Sequence, residues 1–333
     1  MTGLAINGFG RIGRVALRIL LERSKLNVVA INDLAPADEL AYLLKYDSVH
    51  GRLSDDIYAK DNYLYVNNKK IPIFNEKNPA NLPWKDLGVN VVLEASGHFL
   101  SKEEASQHLI AGAKKVVISA PSTNNSADAT ICYGVNNEAY KPNMTVISTA
   151  SCTTNCIAPI AKILDDNLGI KKALVTTIHS YTNDQNLLDL PHKDKRRSRA
   201  AALSLIPTTT GAARAIALVL PNLKNKFDGI AIRVPTPNVS LVDMVVEVQK
   251  DTSPEEINTL FEEYSKKSFK NILDISYEPL VSIDFNGTTY SSIVDAKNTM
   301  VIDKNLVKVL SWYDNEWGFT SRAIDLLEML SLN

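Results

Sequence analysis

Cysteine is scarce in this chain, with three in 333 residues. That is too few for a disulfide framework and suits a reducing compartment, so a cytoplasmic location is expected. Cys152 and Cys156 are spaced C-x-x-x-C, which is neither the redox pair nor a zinc-ligand spacing, so neither a disulfide nor a metal site is expected. Excess charge is missing too. Lys and Arg number 36 against 37 Asp and Glu, a formal net charge of −1. With an isoelectric point near 6.5, this argues against a dedicated nucleic-acid partner or a membrane-surface role. No apolar run is long enough to span a bilayer. No basic region with a cleavage site precedes the first apolar strand, so no signal peptide is expected. Low-complexity tracts and internal repeats are absent. What is present, 45% hydrophobic and 22% charged residues, is ordinary for a globular protein. The length exceeds what one core usually serves, so two domains are expected.

The first half carries a nucleotide-type pattern. Leu4-Ala5-Ile6-Asn7 reads as a strand, Gly8-Phe9-Gly10-Arg11-Ile12-Gly13 as a turn, and Arg14 to Glu22 as a helix. A second strand, Val28 to Ile31, ends in Asn32-Asp33. This is a βαβ unit with G-x-G-x-x-G at its first turn and an acid about 20 residues beyond. Gly8 serves the tight turn, Gly10 the close approach of a pyrophosphate, and Gly13 the packing of helix on strand. The helix N-terminus faces the phosphates, and Asp33 is placed to accept from the adenosine ribose. An acid there repels a 2′-phosphate, which favours NAD over NADP. Further alternation follows in a strand at Asn90–Ala95, a helix at Lys102–Ala111 and a strand at Lys115–Ser119, implying a parallel doubly wound sheet. Between them, Asp56–Ala59 and Tyr63–Val66 read as inserted antiparallel ribbons.

Thr145–Ser148 is another β-branched strand, and Ile157 to Leu168 has apolar residues at helical spacing. Cys152 falls at the junction between them. Helix-terminus N–H groups favour an anion there, so a lowered thiol pKa is expected. Most free cysteines are inert packing, and Cys132 and Cys156 read that way. The junction, the small hydroxylated neighbours and a base downstream set Cys152 apart. That base is His179, at the end of the strand Ala173–Ile178. A Cys–His pair activates the thiolate and supplies an acid/base suited to neutral pH. His192 lies in a charged loop and reads as exposed, and His50, His98 and His108 fall in the cofactor half. The polar loop 180–199 ends in Lys193, Lys195, Arg196, Arg197 and Arg199. Such a run is either a solvated or subunit-facing surface, or an anion site. Pro207 to Ala213 offers hydroxyls and N–H groups opening a helix, a second phosphate-type site. Arg233 stands at a strand end, Asn238–Val248 alternates as a strand, and Ser253–Lys267 reads as a capped helix. Strands near Tyr290–Val294 and Leu306–Tyr313 complete a mixed, largely antiparallel sheet, and Phe319–Leu330 is a closing helix.

A thiolate, a base, a nicotinamide site and anion sites together suggest aldehyde oxidation through a thioester. Five stretches resemble phosphorylating glyceraldehyde-3-phosphate dehydrogenase: Asn7–Arg14, Ala150–Cys156, His179–Gln185, Arg233–Ser240 and Trp312–Glu316. The resemblance covers essentially the whole chain. It implies a Rossmann-type NAD-binding domain (1–150 and 316–333) and an α+β catalytic domain (151–315). Cys152 is then the nucleophile and His179 the base. Ser151, Thr153, Thr210, Gly211 and one loop arginine, Arg197 or Arg199, would hold the attacking inorganic phosphate. Thr182, Asp184 and Arg233 would hold the phosphate of the substrate aldehyde. For NAD the resemblance points to Arg11, Ile12, Asp33, Ser119 and Asn315. Lys77 stands where bacterial members often carry arginine near the adenine, and Thr149 where they often carry asparagine. Leu190-Pro191 matches NAD-preferring members. A homotetramer is implied, with the 180–203 loop reaching a neighbouring subunit.

Two rivals are open. Erythrose-4-phosphate dehydrogenase shares the Cys/His pair, and Leu82-Pro83-Trp84 is similar to that relative. Against it, Thr182–Gln185 and Thr208–Gly211 follow the glyceraldehyde-3-phosphate pattern. A non-catalytic NAD- or RNA-binding scaffold would have lost the nucleophile or the base, and both are present.

Overall fold

The computed structural model describes residues 2–23 and 25–331; the expected domain limits at Met1 and Asn333 lie outside the described residues. The chain forms two compact units. One comprises residues up to 133, 137–150 and from 320 onward, the other 134–136 and 151–319.

The first unit contains β1 (Thr2–Asn7), α1 (Arg11–Glu22), β2 (Leu26–Asn32), α2 (Ala37–Lys45), β3 (Ile57–Lys60), β4 (Tyr63–Val66), β5 (Lys69–Phe74), β6 (Val89–Glu94), α3 (Lys102–Ala105), α4 (Gln107–Ile110), β7 (Lys115–Ile118), β8 (Ala129–Thr130) and β9 (Val146–Ser148). They make one nine-stranded sheet in the order β3-β4-β5-β2-β1-β6-β7-β9-β8. From β5 to β8 every pairing is parallel, and β3–β4–β5 is an antiparallel meander. The ribbons expected as an insertion thus extend the main sheet, because β5 pairs with β2 through Ile31 and Ile73. β1 is buried along nearly its whole length, as a central strand covered on both faces should be. The order reverses at β1, flanked by β2 and β6. In open α/β sheets a ligand crevice forms beyond the strand ends at such a point.

Helix α1 starts three residues earlier than the periodicity suggests. Gly10 is its N-cap, so Gly13 falls inside the first turn. A Cβ on Gly13 would lie 2.2 Å from the Gly8 carbonyl oxygen, which is why only glycine lets this helix sit so close to β1. Gly8 has φ +89° and a Cβ there would lie 2.4 Å from Ser96 N. The helix expected over Lys102–Ala111 is two short pieces joined at Ser106, opened by a Ser101/Glu104 capping box.

The second unit contains α5 (Cys152–Leu168), β10 (Ile170–Ser180), β11 (Ile206–Thr209), α6 (Ile216–Val219), β12 (Phe227–Val234), β13 (Ser240–Val248), α7 (Pro254–Lys266), β14 (Leu273–Ser276), β15 (Ser292–Asp295), β16 (Met300–Ile302) and β17 (Leu306–Tyr313). The final helix α8 (Trp317–Ser331) starts here and runs into the first unit at Thr320. The sheet order is β11-β12-β10-β13-β17-β15-β14, with β16 on β17. Only β10–β12 and β14–β15 are parallel. β13 alternates buried and half-buried residues along its length. The buried face packs on α5, whose apolar residues are almost all fully covered. α7 opens with the Ser253/Glu256 capping box that the sequence announces.

The two turn glycines respond oppositely to a methyl group. Gly8→Ala combines positive φ with a backbone clash and is expected to lower unfolding stability by about 1–3 kcal/mol. Gly10, whose Cβ would meet nothing within 4 Å, should tolerate alanine within about 0.5 kcal/mol. Urea midpoints of the two variants check this; equal losses would contradict it.

Candidate active site

In the first unit a cavity of ≈ 540 Å³ opens at the carboxyl ends of β1, β2 and β6. Gly8, Gly10, Asp33 and Lys77 line it, with Asn7, Asn32, Leu34, Ser96 and Phe99. Asp33 braces the glycine turn: Phe9 N–H donates to its Oδ2 at 2.6 Å and Ala35 N–H to its Oδ1 at 2.9 Å. Each oxygen keeps a lone pair for a ribose hydroxyl. Gly10 leaves open space where a Cβ would sit, so backbone is what an approaching pyrophosphate meets. The residues present therefore fit a dinucleotide. Ile12 and Gly13 are in the first turn of α1, while the Arg11 guanidinium is ion-paired with Asp47. Ser119 follows β7 and donates to the Glu94 carbonyl at 2.9 Å.

The cavity stands on a buried polar floor that the sequence does not announce. Glu94, 1% exposed, accepts from Asn7 Nδ2 at 2.6 Å and from Ser96 N and Oγ. His108 contacts the same carboxylate through Nε2 at 3.0 Å, and Trp84 Nε1 donates to its Nδ1 at 2.9 Å. Asn32 Nδ2 donates to Asn7 Oδ1 at 2.7 Å. His108 is thus a structural histidine. Asn7, Asn32 and Glu94 end three neighbouring parallel strands, and that position was the available signal.

The second unit holds Cys152, the candidate nucleophile. α5 begins at Cys152 itself, five residues before the apolar periodicity. Ser151 caps it, with Thr154 N–H donating to Ser151 Oγ at 3.0 Å. Ala150, just ahead, has φ +60°, a conformation uncommon outside glycine. Cys152 Sγ lies 3.5 Å from His179 Nε2. Cys132 and Cys156 are buried, and Cys152 is the partly exposed one. The expected lowering of the Cys152 pKa does not hold for the resting protein. Desolvation pushes the thiol up, against the Arg233 charge and hydrogen bonds from Thr153 that pull it down. One helix turn is outweighed by its surroundings.

His179 is the penultimate residue of β10, and parallel pairing sets it opposite Arg233 on β12. Arg233 Nη1 lies 2.7 Å from His179 Nδ1 and donates to Ser180 O at 3.0 Å. His179 Nδ1 is also 2.7 Å from Ser180 O. Burial, then the charges of Arg233 and Arg197, push the imidazole pKa down to about 3, against the Ser180 carbonyl. At neutral pH the ring is uncharged. Tyr313, unremarked in the sequence except within its motif, stacks edge-on to the ring. Its hydroxyl bridges Thr153 Oγ1 at 2.8 Å and Thr177 Oγ1 at 2.9 Å.

The basic loop separates into two fates. Arg197 pairs with Asp184, donates to Thr208 Oγ1 at 3.0 Å and reaches the Thr209 carbonyl at 3.4 Å. Arg199 turns outward to Asp189. His192, expected to be exposed, is 14% exposed at its side chain and contacts Asp184, because the loop folds back on itself. Thr182 and Gln185 form a turn, Gln185 N–H donating to Thr182 O at 2.9 Å. The threonine run does not open a helix as expected. Thr208 and Thr209 belong to the edge strand β11, Thr210 and Gly211 start a series of turns, and α6 begins only at Ile216. Asn315 lies in this unit, its Oδ1 accepting from Ser240 Oγ at 2.8 Å. A larger cavity, ≈ 730 Å³, opens near Ala173, Leu174 and Phe227, at the other end of β10, and contains neither Cys152 nor His179.

Comparison with known proteins bears on both units. A family model described as the NAD binding domain of glyceraldehyde 3-phosphate dehydrogenase matches residues 2–102. One for the C-terminal domain of the same protein matches residues 151–315. The chain is 56% identical over 327 residues to glyceraldehyde-3-phosphate dehydrogenase 1 of Bacillus cereus, covering 98% of this chain and 97% of the relative. It is 56% identical over 324 residues to the glyceraldehyde-3-phosphate dehydrogenase of Geobacillus stearothermophilus, covering 97% and 96%. A chloroplastic glyceraldehyde-3-phosphate dehydrogenase of Arabidopsis thaliana is 50% identical over 333 residues, covering 99% and 84%.

Burial raises the Cys156 thiol to about 12 and the Cys132 thiol higher still. Iodoacetamide at neutral pH should therefore label Cys152 more than about tenfold faster than either, read by peptide mass spectrometry; uniform labelling of folded protein would refute it. His179 sets an acid limit. Below its unfolded pKa of about 6.5 the unfolded chain takes a proton that the folded ring refuses until about 3. Stability should fall through that window by about 1.4 kcal/mol per pH unit from this residue. A shallower acid slope in His179→Asn, from urea melts between pH 4 and 6.5, is the expected result.

Proposed function

This chain belongs to the glyceraldehyde-3-phosphate dehydrogenase family, and from that premise we propose how its own residues divide the reaction. The protein is an NAD-dependent oxidoreductase of glycolysis that converts D-glyceraldehyde 3-phosphate and inorganic phosphate to 1,3-bisphosphoglycerate. The observation that carries the mechanism is the 3.5 Å contact of Cys152 Sγ and His179 Nε2.

Cys152 Sγ adds to the aldehyde carbon, forming a hemithioacetal. His179, neutral at working pH, takes the hydroxyl proton at Nε2. Gly8, Gly10 and Asp33 would hold NAD, whose chemistry when bound would be to accept a hydride, and Cys152 is the residue that would carry the resulting acyl group as a thioester. Inorganic phosphate then attacks the thioester carbon, and the sulfur leaves. For the attacking phosphate we favour Arg197 over Arg199, since Arg197 lies with Thr208 and Thr209 while Arg199 is engaged with Asp189. Ser151, Thr153, Thr210 and Gly211 complete that site on the strength of the family pattern. Thr182, Asp184 and Arg233 are assigned to the substrate's own phosphate. The Asp184 carboxylate is paired with the Arg197 guanidinium. Arg233 brings a buried Nε that has no acceptor in the structure, a donor an anion would satisfy.

For the cofactor, the Asp33 carboxylate accepts from the ribose and disfavours a 2′-phosphate, while Arg11, Ile12, Lys77, Ser119 and Asn315 follow the family pattern. A homotetramer fits the apolar side chains left exposed on β10, β12 and the loop: Leu174, Ile230, Leu187, Leu188, Leu203 and Leu205. A cytoplasmic location fits the three free thiols. No helix among the described residues is long and apolar enough to cross a membrane.

Phosphate-dependent NADH formation should vanish by several orders of magnitude in Cys152→Ser, with NAD binding retained by calorimetry. Should the variant keep its rate, the nucleophile is misassigned. The wild type should show a higher kcat/KM for glyceraldehyde 3-phosphate than for erythrose 4-phosphate; the reverse order would overturn the substrate assignment.

A further inference from the structure

The buried network beneath the cavity of the first unit has a fixed direction. It begins at Trp84, whose indole N–H can only donate and does so to His108 Nδ1 at 2.9 Å. With Nδ1 accepting, the ring proton sits on Nε2, which donates to Glu94 Oε2 at 3.0 Å. The other oxygen, Oε1, faces the Ser96 backbone N–H at 2.8 Å, again a pure donor. Both oxygens of Glu94 therefore accept. Asn7 Nδ2, 2.6 Å from Oε2, has to be the end of that amide turned towards it.

The consequence runs on across the sheet. Asn7 is left with Oδ1 for its other neighbour, so Asn32 has to donate from Nδ2, at 2.7 Å. Asn32 then closes on the Glu76 backbone, Nδ2 donating to Glu76 O and Oδ1 accepting from Glu76 N–H, both at 2.9 Å. That N–H can only donate, so the amide orientations are dictated alike from both ends. The chain crosses the ends of β6, β1 and β2, neighbours in the sheet, to the segment after β5. Glu94, Asn7 and Asn32 are 1%, 2% and 5% exposed, so water does not replace a lost bond.

We propose that Glu94 is a positioning residue for the cofactor, one acceptor that sets the walls of the NAD cavity against one another. Glu94 does not line the cavity, but its partners adjoin or belong to the residues that do. Asn7 precedes Gly8, Asn32 precedes Asp33, Glu76 precedes Lys77, and Gly8 packs against Ser96. An amide cannot take the place of this carboxylate. In Glu94→Gln the new NH2 group faces either the Ser96 N–H or the N–H groups of His108 and Asn7. Turning Asn7 over moves the conflict to Asn32, which Glu76 holds in place. The inference rests on the reading above that this cavity takes NAD.

Hydrogen exchange and calorimetry test it. In the cofactor-free wild type the Glu76 amide should exchange slowly, although it lies outside any strand or helix; exchange at the rate of an open loop overturns the proposal. Glu94→Gln, its fold checked by its urea midpoint, should speed exchange of the Glu76 amide by about tenfold or more. The Kd for NAD should rise by about tenfold or more, and KM for NAD with it, while kcat at saturating NAD changes less than about twofold. An unchanged Glu76 amide or an unchanged Kd overturns the proposal. Should Glu94→Gln not fold, Asn7→Leu cuts the chain beside the carboxylate and is read by the same two measurements. Asp33→Ala keeps the two readings apart. If it leaves the Kd for NAD unchanged, the cavity is misassigned; if it weakens NAD while Glu94→Gln does not, only the positioning role of Glu94 falls.

Discussion

The imidazole of His179 is buried beside the Arg233 guanidinium, and sheet register in the second unit puts it there. A ring buried to this extent beside two guanidiniums takes a proton only at strongly acid pH. An uncharged base at neutral pH is what proton abstraction from a hydroxyl needs. The setting follows from sheet register. Parallel pairing of β10 with β12 sets His179 against Arg233 and Ser180 against Val234, so one cation is built into the wall of the base. On the other side of β10, β13 brings Ser240, whose hydroxyl accepts from Ser180 N–H at 3.1 Å. A shift of one residue in either pairing would turn every one of these side chains to the opposite face.

Two residues close in sequence to site residues carry backbone strain. Ala150 and Val239 both have φ above +60° or at it, and for a β-branched residue such as Val239 this is a true outlier. Such conformations each cost of order 1–3 kcal/mol and persist where the surroundings over-determine them. Val239 is buried against Phe285 and Ile293, and its carbonyl accepts from Ser180 Oγ at 2.8 Å. Core packing therefore holds the backbone that holds the serine next to the base. Ser240 continues this chain to Asn315. In the first unit Glu94 has the equivalent place, tying Asn7, Ser96 and His108 beneath the cavity.

Much of this was legible before the structure. The β1–α1–β2 unit with Asp33 could be read because each part answers to a local rule: glycine where a Cβ collides, an apolar run where both faces are covered, an acid at a strand end. The alternation of β13 and the capping box of α7 were readable for the same reason. Periodicity alone did not set the first residue of α5, since it begins only at Ile157, although the helix opening at Cys152 was read from the junction. Other features were not readable. Thr208 and Thr209 looked like a helix entrance, yet edge pairing with β12 drew them into a strand, an instance of tertiary context overriding local preference.

By itself the sequence determined the chemistry on offer: one reactive-type cysteine, one histidine at a strand end, a dinucleotide turn and a set of arginines. Those are properties of residue type and short spacing, and they survive without coordinates. Only the tertiary structure decided which groups meet and in what state. It brought Arg197 rather than Arg199 to the threonines, raised the Cys152 thiol where a helix terminus alone would lower it, and put a guanidinium and a carbonyl on the same nitrogen of His179. The physical reason is that charge state and tautomer are set by burial and by neighbours brought from far along the chain, 54 residues away in the case of Arg233 and His179. No local pattern encodes them.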